Sequence, residues 1–182
     1  HIGITAEYIK LIEEKLKIPI NLVTTRTWEN TLDKAKNREC DIIPLSVKTN
    51  ERENFLDFTK PYVKIPLVVA SKIDVPFIEN IEQMGEYSLA VVKNYGFIET
   101  LKSKYPNIKF IEVSNIYEGL QLVEKGKVFG FIDTLATVGY QIQNSYMGQL
   151  KISAKFNDLV ELSIATRNDE PFLNSIFDKA MS

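Results

Sequence analysis

Short apolar runs alternate with amphipathic segments along almost the whole chain, and this alternation limits the possible folds more than any other feature. SLAVV precedes YGFIETLKSKY, KFIEV precedes NIYEGLQLVEKG, and VFGFID precedes TLATVGYQIQN. Each apolar run has the length and β-branched content of a buried strand, and each amphipathic segment has helical spacing. Strands that alternate with helices are typical of an α/β protein with a parallel-rich sheet. The sequence therefore predicts the α/β class.

The two ends of the chain continue this alternation. The predicted helices are AEYIKLIEEKL, TWENTLDKAKN capped by Thr27, a short helix from Thr49 through Phe55, and PFLNSIFDKAM; the predicted strands are INLVT, DIIPL, PLVVAS and LVELSIAT. In sheets of this class, functional sites lie at the carboxyl ends of strands, where loops and helix N-termini meet. The residues that follow DIIPL and SLAVV are therefore the first candidates for a site.

Composition excludes several classes of partner. The chain has 182 residues, 45% of them hydrophobic and 25% charged, as in ordinary soluble globular proteins. Its net charge of -2 predicts no basic face, so nucleic acid is not an expected partner. The longest apolar runs, such as IPLVVA, are far shorter than the roughly 20 residues that a membrane-spanning helix needs.

Cysteine and histidine are almost absent. The single cysteine, Cys40, excludes an internal disulfide and is expected to be a buried thiol beside an apolar run. The single histidine is His1, at the start of the sequence. With one residue of each type there is little material for a zinc site or a Cys/His or Ser/His catalytic pair, so no metal and no cofactor are predicted.

Arg52 is the first candidate binding residue. It follows DIIPL together with Ser46 and Thr49, in what is predicted to be a loop and the first turn of a helix. Arginine is always charged and costly to bury without a partner, and free amides at a helix start also favour anions. The sequence predicts an anion site here, while a surface pairing of Arg52 with Glu51, Glu53 or Asp57 is the alternative.

A second candidate group follows the strand SLAVV. Asn94, Tyr95 and Gly96 are predicted to open a helix there, and glycine would let a ligand approach the backbone closely. Two helix starts of this kind could hold one carboxylate from both sides.

These residues carry a family resemblance. The run DIIPLSVKTNER followed by LDFTKPY resembles the signature of the amino-acid-type (family 3) periplasmic solute-binding proteins, also called Venus flytrap domains. VVKNYGFIETLKSKYP, EGLQLVEKGKVFGFIDTLATVGYQIQ and ELSIATRNDEPFLNSIFDKA resemble later parts of that family, in the same order. TWENTL and VFGFIDTLATVGYQIQ are more similar to the flytraps fused to sensor histidine kinases and diguanylate cyclases than to free transport proteins.

The resemblance implies a two-lobed, periplasmic-binding-protein-like (type II) fold, with two βα sheets joined by two crossing strands and a ligand cleft between the lobes. Lobe one would be residues 1–64 plus 162–182, and lobe two residues 65–161. The opening strand of the family has no counterpart before HIGITAEY.

The resemblance also implies roles for single residues. Arg52 matches the arginine that pairs with the ligand α-carboxylate, and Thr49 matches the threonine three positions earlier. A hydroxyl residue that the family often has falls on Val47, while the serine is displaced to Ser46.

In lobe two, Gly96 matches the backbone donor, with Asn94 and Tyr95 beside it. The acid that holds an α-ammonium falls on Thr134, with Asp133 one place earlier. Asp133 could contact ligand or cap the next helix. Trp28 is expected to pack its helix rather than stack on the ligand.

The function implied is that of a sensor domain and not of an enzyme. It would bind an amino acid or another small carboxylate outside the cytoplasm and signal, by lobe closure, to a fused kinase or diguanylate cyclase. Contact with the membrane would come only through a fused segment outside this chain, and the full receptor could be a homodimer. The alternatives are a free receptor for an ABC transporter and, as a minor one, an enzyme resembling cyclohexadienyl dehydratases, with Asp133 or a cleft glutamate as its acid.

Overall fold

The computed structural model describes residues 4–79 and 81–181, so His1 lies outside the described residues. In this part of the chain the helices are α1 (Ile4–Leu16), α2 (Trp28–Lys36), α3 (Asn50–Glu53), α4 (Ile98–Lys104), α5 (Ile116–Glu124), α6 (Leu135–Ser145) and α7 (Leu173–Ala180). The strands are β1 (Ile42–Ser46), β2 (Leu56–Phe58), β3 (Val63–Lys72), β4 (Ser88–Val92), β5 (Lys109–Val113), β6 (Gly130–Thr134) and β7 (Leu150–Arg167). The predicted α/β class is confirmed.

The chain divides into two compact units. Unit 1 comprises His1–Val63 and Glu161–Ser182, and unit 2 comprises Lys64–Val160. Two strands cross the boundary between the units. β7 runs from unit 2 into unit 1, and β3 begins at Val63, the last residue of the first segment of unit 1, and continues into unit 2. The boundaries expected for the two lobes differ from those of the units by one residue; that the units act as ligand-binding lobes stays a prediction.

Unit 1 is built on the last third of β7. β1 and β2 both pair with it in antiparallel orientation, Ile43 opposite Ala165 and Asp57 opposite Thr166. Two apolar clusters pack on this small sheet. One contains Leu32, Ala35, Ile43, Phe55, Leu56 and Ala165, and the other contains Ile12, Ile164, Phe177 and Ala180.

Unit 2 contains the parallel part of the protein. β4 pairs in parallel with both β5 and β6. On the other side of β6 lies β3, which pairs with it in antiparallel orientation, and the first part of β7 is the next strand of the sheet after β3. The strands of its centre are continuous apolar runs because both faces of such a sheet are covered. The buried residues include Val68, Val69, Leu89, Val91, Leu120, Val123, Phe131, Ile132 and Phe156.

Several local predictions need correction. Residues 20–24 (INLVT) form no strand, and of this segment only Ile20 packs against an apolar cluster, while Leu22 and Val23 are exposed. A strand needs a neighbour for its backbone groups, and none pairs with this segment among the described residues. The parallel-rich sheet predicted for the whole chain is found only in unit 2.

Two helix ends also differ from the prediction. The helix after Thr49 ends at Glu53 rather than Phe55. The helix α4 begins at Ile98, so Asn94, Tyr95 and Gly96 lie in the turn before it and do not open it. Cys40 is only half-buried, and burial raises the pKa of its thiol.

Candidate functional site

Arg52 is a buried cation held by its own local chain. The residue is 4% exposed, and its Nη1 donates to the carbonyl oxygen of Val47 at 2.6 Å and to Oγ of Ser46 at 3.1 Å. The alternative of an exposed Arg52 is therefore wrong. The neighbouring carboxylates pair elsewhere, Glu51 with Lys36 and Glu53 with Lys48.

Arg52 stays charged at neutral pH although it is buried. Burial lowers its pKa to about 10, because leaving water disfavours the charged form, while the nearby Glu51 charge raises the pKa by less. The guanidinium also lies over the ring of Trp28, 5.2 Å from its centre. Trp28 itself packs against the cluster around Leu32 and Phe55, so the predicted packing role is confirmed.

Thr49 fixes the start of the helix that carries Arg52. Thr49 has an extended backbone and its side-chain oxygen accepts from the backbone N–H of Arg52 at 3.3 Å, which makes it the N-cap of α3 as predicted. The structure thus brings the four candidates of unit 1 together: Ser46, Val47, Thr49 and Arg52.

The candidates of unit 2 form a second group. Asn94 has φ of 63°, a left-handed conformation that asparagine tolerates, and the backbone N–H of Tyr95 closes the turn on the Val92 carbonyl. Burial raises the pKa of the Tyr95 hydroxyl, and the adjacent Asp133 raises it further. Gly96 lies half-buried in the same turn.

Asp133 is a buried carboxyl with one oxygen engaged. It is 3% exposed on β6, opposite Val68 of β3. Its Oδ1 accepts from the backbone N–H of Thr134 at 2.6 Å, while its Oδ2 has no donor at bonding distance within the described residues. Burial raises the pKa of Asp133 to about 7, while the Thr134 amide and the nearby hydroxyl groups of Thr134, Thr137 and Tyr95 oppose this shift.

The capping alternative for Asp133 is wrong, because the cap of α6 is Thr134. The oxygen of Thr134 accepts from the backbone N–H of Thr137 at 3.3 Å. Thr134 therefore caps the helix, and contact between Asp133 and a ligand stays a prediction.

The second half of the motif, FTKPY, has a structural role that the sequence did not show. Asp178 of α7 accepts from the backbone N–H of Lys60 at 2.9 Å. With the oxygen of its side-chain amide facing the turn, Asn174 accepts from the backbone N–H groups of Phe58 at 3.3 Å and Thr59 at 3.1 Å. The i, i+4 spacing of Asn174 and Asp178 on one helix face could have suggested a shared partner.

The described residues contain no group of three or more His, Cys, Asp or Glu side chains that could hold a metal ion. Searching the same part of the chain for a helix that is long and apolar enough to cross a membrane finds none.

The fold is that of the Venus flytrap domains. The crystal structure of the periplasmic VFT2 domain of BvgS from Bordetella pertussis matches with a TM-score of 0.89 and 24% identity, over 98% of this chain and 77% of that one. An ancestral arginine-binding protein bound to glutamine matches with a TM-score of 0.85 and 20% identity, over 99% of this chain and 80% of that one.

This chain belongs to the bacterial extracellular solute-binding proteins, family 3, whose sequence pattern matches residues 1–182. The virulence sensor protein BvgS of B. pertussis (strain Tohama I) is 25% identical over 181 residues, which are 98% of this chain and 14% of BvgS. The sensor protein EvgS of Escherichia coli (strain K12) is 26% identical over 148 residues, 78% of this chain and 12% of EvgS. The family resemblance and the likeness to sensor proteins are confirmed, and the chain spans about a seventh of the length of BvgS and about an eighth of that of EvgS.

Proposed function

We propose that this chain is the extracytoplasmic ligand-binding domain of a bacterial sensor, and that its ligand is a small carboxylate-bearing solute such as an amino acid. The observation that carries the proposal is the buried Arg52 guanidinium, whose Nη1 is oriented by two neutral oxygens. A guanidinium that has already lost water and rotamer freedom binds a carboxylate through short, charge-assisted hydrogen bonds at little further entropic cost.

Asp133 supports an amine on the same ligand. Its Oδ2 is buried and meets no donor among the described residues, and an ammonium group would supply both the missing hydrogen bond and a compensating charge. The similarity to arginine-binding proteins, one of them bound to glutamine, favours an amino acid over a simple carboxylic acid. Arg52 would then take the carboxylate of the ligand, and Asp133 its ammonium.

The similarity to BvgS and EvgS, both sensor proteins, supports a signalling output. We expect residues 1–64 plus 162–182 and residues 65–161 to act as two lobes that the ligand stabilises in a closed arrangement. Closure would shift a population between two states, and a kinase or diguanylate cyclase in the same polypeptide, in a homodimeric receptor, would respond to it. The second candidate is a free periplasmic receptor for an ABC transporter.

Two measurements test the ligand. Native mass spectrometry of the purified chain shows which small molecule co-purifies, and calorimetry with the standard amino acids identifies a binder. For that binder, the matching carboxamide is then titrated. We expect the free acid to bind at least tenfold more tightly, since the amide cannot form the charged pair with Arg52. Equal affinities for acid and amide would remove the basis of the proposal.

A further inference from the structure

β1 contains an irregularity directly before the Arg52 site. Ile43 pairs with Ala165, but Ser46, three residues on, pairs with Ser163, only two residues away on β7. Pro44 and Leu45 therefore lie opposite the single residue Ile164, which is the pattern of a β-bulge. Proline suits this position because it has no N–H to give to a strand ladder.

The backbone of Ile164 does not hold the bulge. Its carbonyl accepts from the backbone N–H of Thr59 at 3.0 Å, and its own N–H donates to Oγ1 of Thr59 at 3.1 Å. These bonds leave the Pro44 carbonyl to another donor. That donor is the hydroxyl of Tyr62, at 2.6 Å.

Tyr62 is itself fixed on several sides within unit 1. Its backbone N–H donates to the Leu162 carbonyl at 3.0 Å, and its ring packs edge-on against Tyr8 with 5.0 Å between centres. The hydroxyl of Thr5 lies near that of Tyr62 and opposes the rise of the Tyr62 pKa. Burial raises the pKa of Tyr62 to about 12, so its hydroxyl keeps the proton that it donates.

We propose that Tyr62 is a positioning residue for the anion site: its hydroxyl fixes the Pro44–Leu45 bulge and thereby sets the two oxygens that orient Arg52. Ser46 and Val47 follow the bulge directly, and both accept from Nη1 of Arg52. A bulge decides the direction in which the next residues of a strand point. The part of this inference that concerns the ligand rests on the proposed function, whereas the part that concerns Arg52 does not.

Trp28 provides a test that needs no ligand. It is the only tryptophan of the chain, and the Arg52 guanidinium lies over its ring. In the ligand-free 182-residue protein, Tyr62→Phe should change the emission maximum and the iodide quenching of Trp28 in the direction that Arg52→Ala does. Tyr105→Phe, which alters a buried tyrosine of unit 2, is the matched control and should leave both signals unchanged.

A second measurement uses the amino acid that binds the unaltered chain. Tyr62→Phe should weaken its binding about 3- to 10-fold, as expected for one lost hydrogen bond, and should add nothing in an Arg52→Ala background. If Tyr62→Phe changes the Trp28 signal but the unaltered chain binds no amino acid, the positioning role is kept and the proposed function is rejected.

An unchanged Trp28 signal in folded Tyr62→Phe would overturn the positioning role. Tyr62→Phe keeps the ring, its packing on Tyr8 and the backbone bond to Leu162, so we expect it to fold. If it does not fold, Thr5→Val decides the question, because it removes only the hydroxyl that lies near the Tyr62 hydroxyl. A smaller change of the Trp28 signal, of the same sign as in Arg52→Ala, would support the role, and no change would reject it.

Discussion

The guanidinium carbon of Arg52 lies 5.2 Å from the centre of the Trp28 ring, so that α2 and α3 meet through a cation–π contact. Such a contact contributes about 0.5 to 2 kcal/mol, depending on how far the pair is removed from water. Because Trp28 also packs on the core of unit 1, it limits the movement of the Arg52 side chain relative to that core. The Arg52 guanidinium is therefore held in place by contacts within unit 1.

Replacing Arg52 should greatly reduce ligand affinity. We expect Arg52→Ala to weaken the binding of a carboxylate ligand by about 2 to 5 kcal/mol, because the carboxylate would lose its charged partner on leaving water. Calorimetry measures the effect. Arg26→Ala removes the same charge from an exposed position of unit 1 and should change affinity little. Equal losses in the two variants would indicate a general charge effect instead.

Replacing Asp133 should lower the affinity only for ligands that carry an amine. Asp133→Asn is expected to lower the affinity for an amino acid and to leave that for its amine-free analogue almost unchanged, because only the ammonium needs the carboxylate charge. Competition titrations with both ligands measure the ratio. If both affinities fall alike, Asp133 supports the site without touching the amine.

The buried Asp133 should also make the ligand-free protein less stable as the pH rises. Its pKa is about 7 in the folded protein, against an ordinary value of 3.8, so between these values the folded state binds more protons than the unfolded state. The free energy of unfolding then falls with rising pH across this window and levels off above it. Urea unfolding at pH 5 and pH 8 should show a smaller decrease in Asp133→Asn than in the unaltered chain. The same decrease in both would assign the pH dependence to other groups.

Thr134 should contribute to stability as a helix cap. Thr134→Ala is expected to reduce the free energy of unfolding by about 1 kcal/mol, because the Thr137 amide would lose its acceptor. Thr134→Ser keeps the oxygen and should retain most of the stability. Chemical denaturation of the three proteins decides whether the hydroxyl or the methyl group matters.

Gly119 should be intolerant of any side chain. A Cβ atom there would lie 2.3 Å from Cδ2 of Phe131, whose ring is fully buried under α5. We expect Gly119→Ala to destabilise unit 2 by about 1 to 3 kcal/mol through overpacking. In Gly139→Ala the new Cβ meets no atom within 4 Å, and this variant should be slightly more stable than the unaltered chain, because alanine favours a helix more than glycine does. Thermal unfolding that ranks the two variants the other way would show that α5 shifts readily.

The features predicted from the sequence are those with local causes. The sequence predicts Thr27 and Thr49 as caps because the bond that each forms spans only three residues. The prediction of a strand at INLVT is wrong because a strand needs a neighbouring strand, and the residues of one segment do not specify that neighbour. Arg52 was found through its motif, but its burial and its contact with Trp28 depend on how α2 packs.

Other parts of the site depend on long-range geometry. Whether Asp133 or Thr134 caps α6 is decided by where β6 ends and the helix begins, and a difference of one residue exchanges their roles. The bonds from α7 to the FTKPY turn join residues more than a hundred positions apart, such as Lys60 and Asp178. The i, i+4 spacing of Asn174 and Asp178 indicates a shared partner but does not indicate which turn of the chain that partner is.

The attachment of α7 to residues 58–60 limits how this domain can be re-engineered. Three successive backbone amides of that turn find acceptors on Asn174 and Asp178, and the turn leads directly to Tyr62. A protein domain that is fused to the C-terminal side of this chain should therefore be joined after α7 and not within it. A junction within α7 would remove the acceptors of these three amides and release the turn that leads to Tyr62.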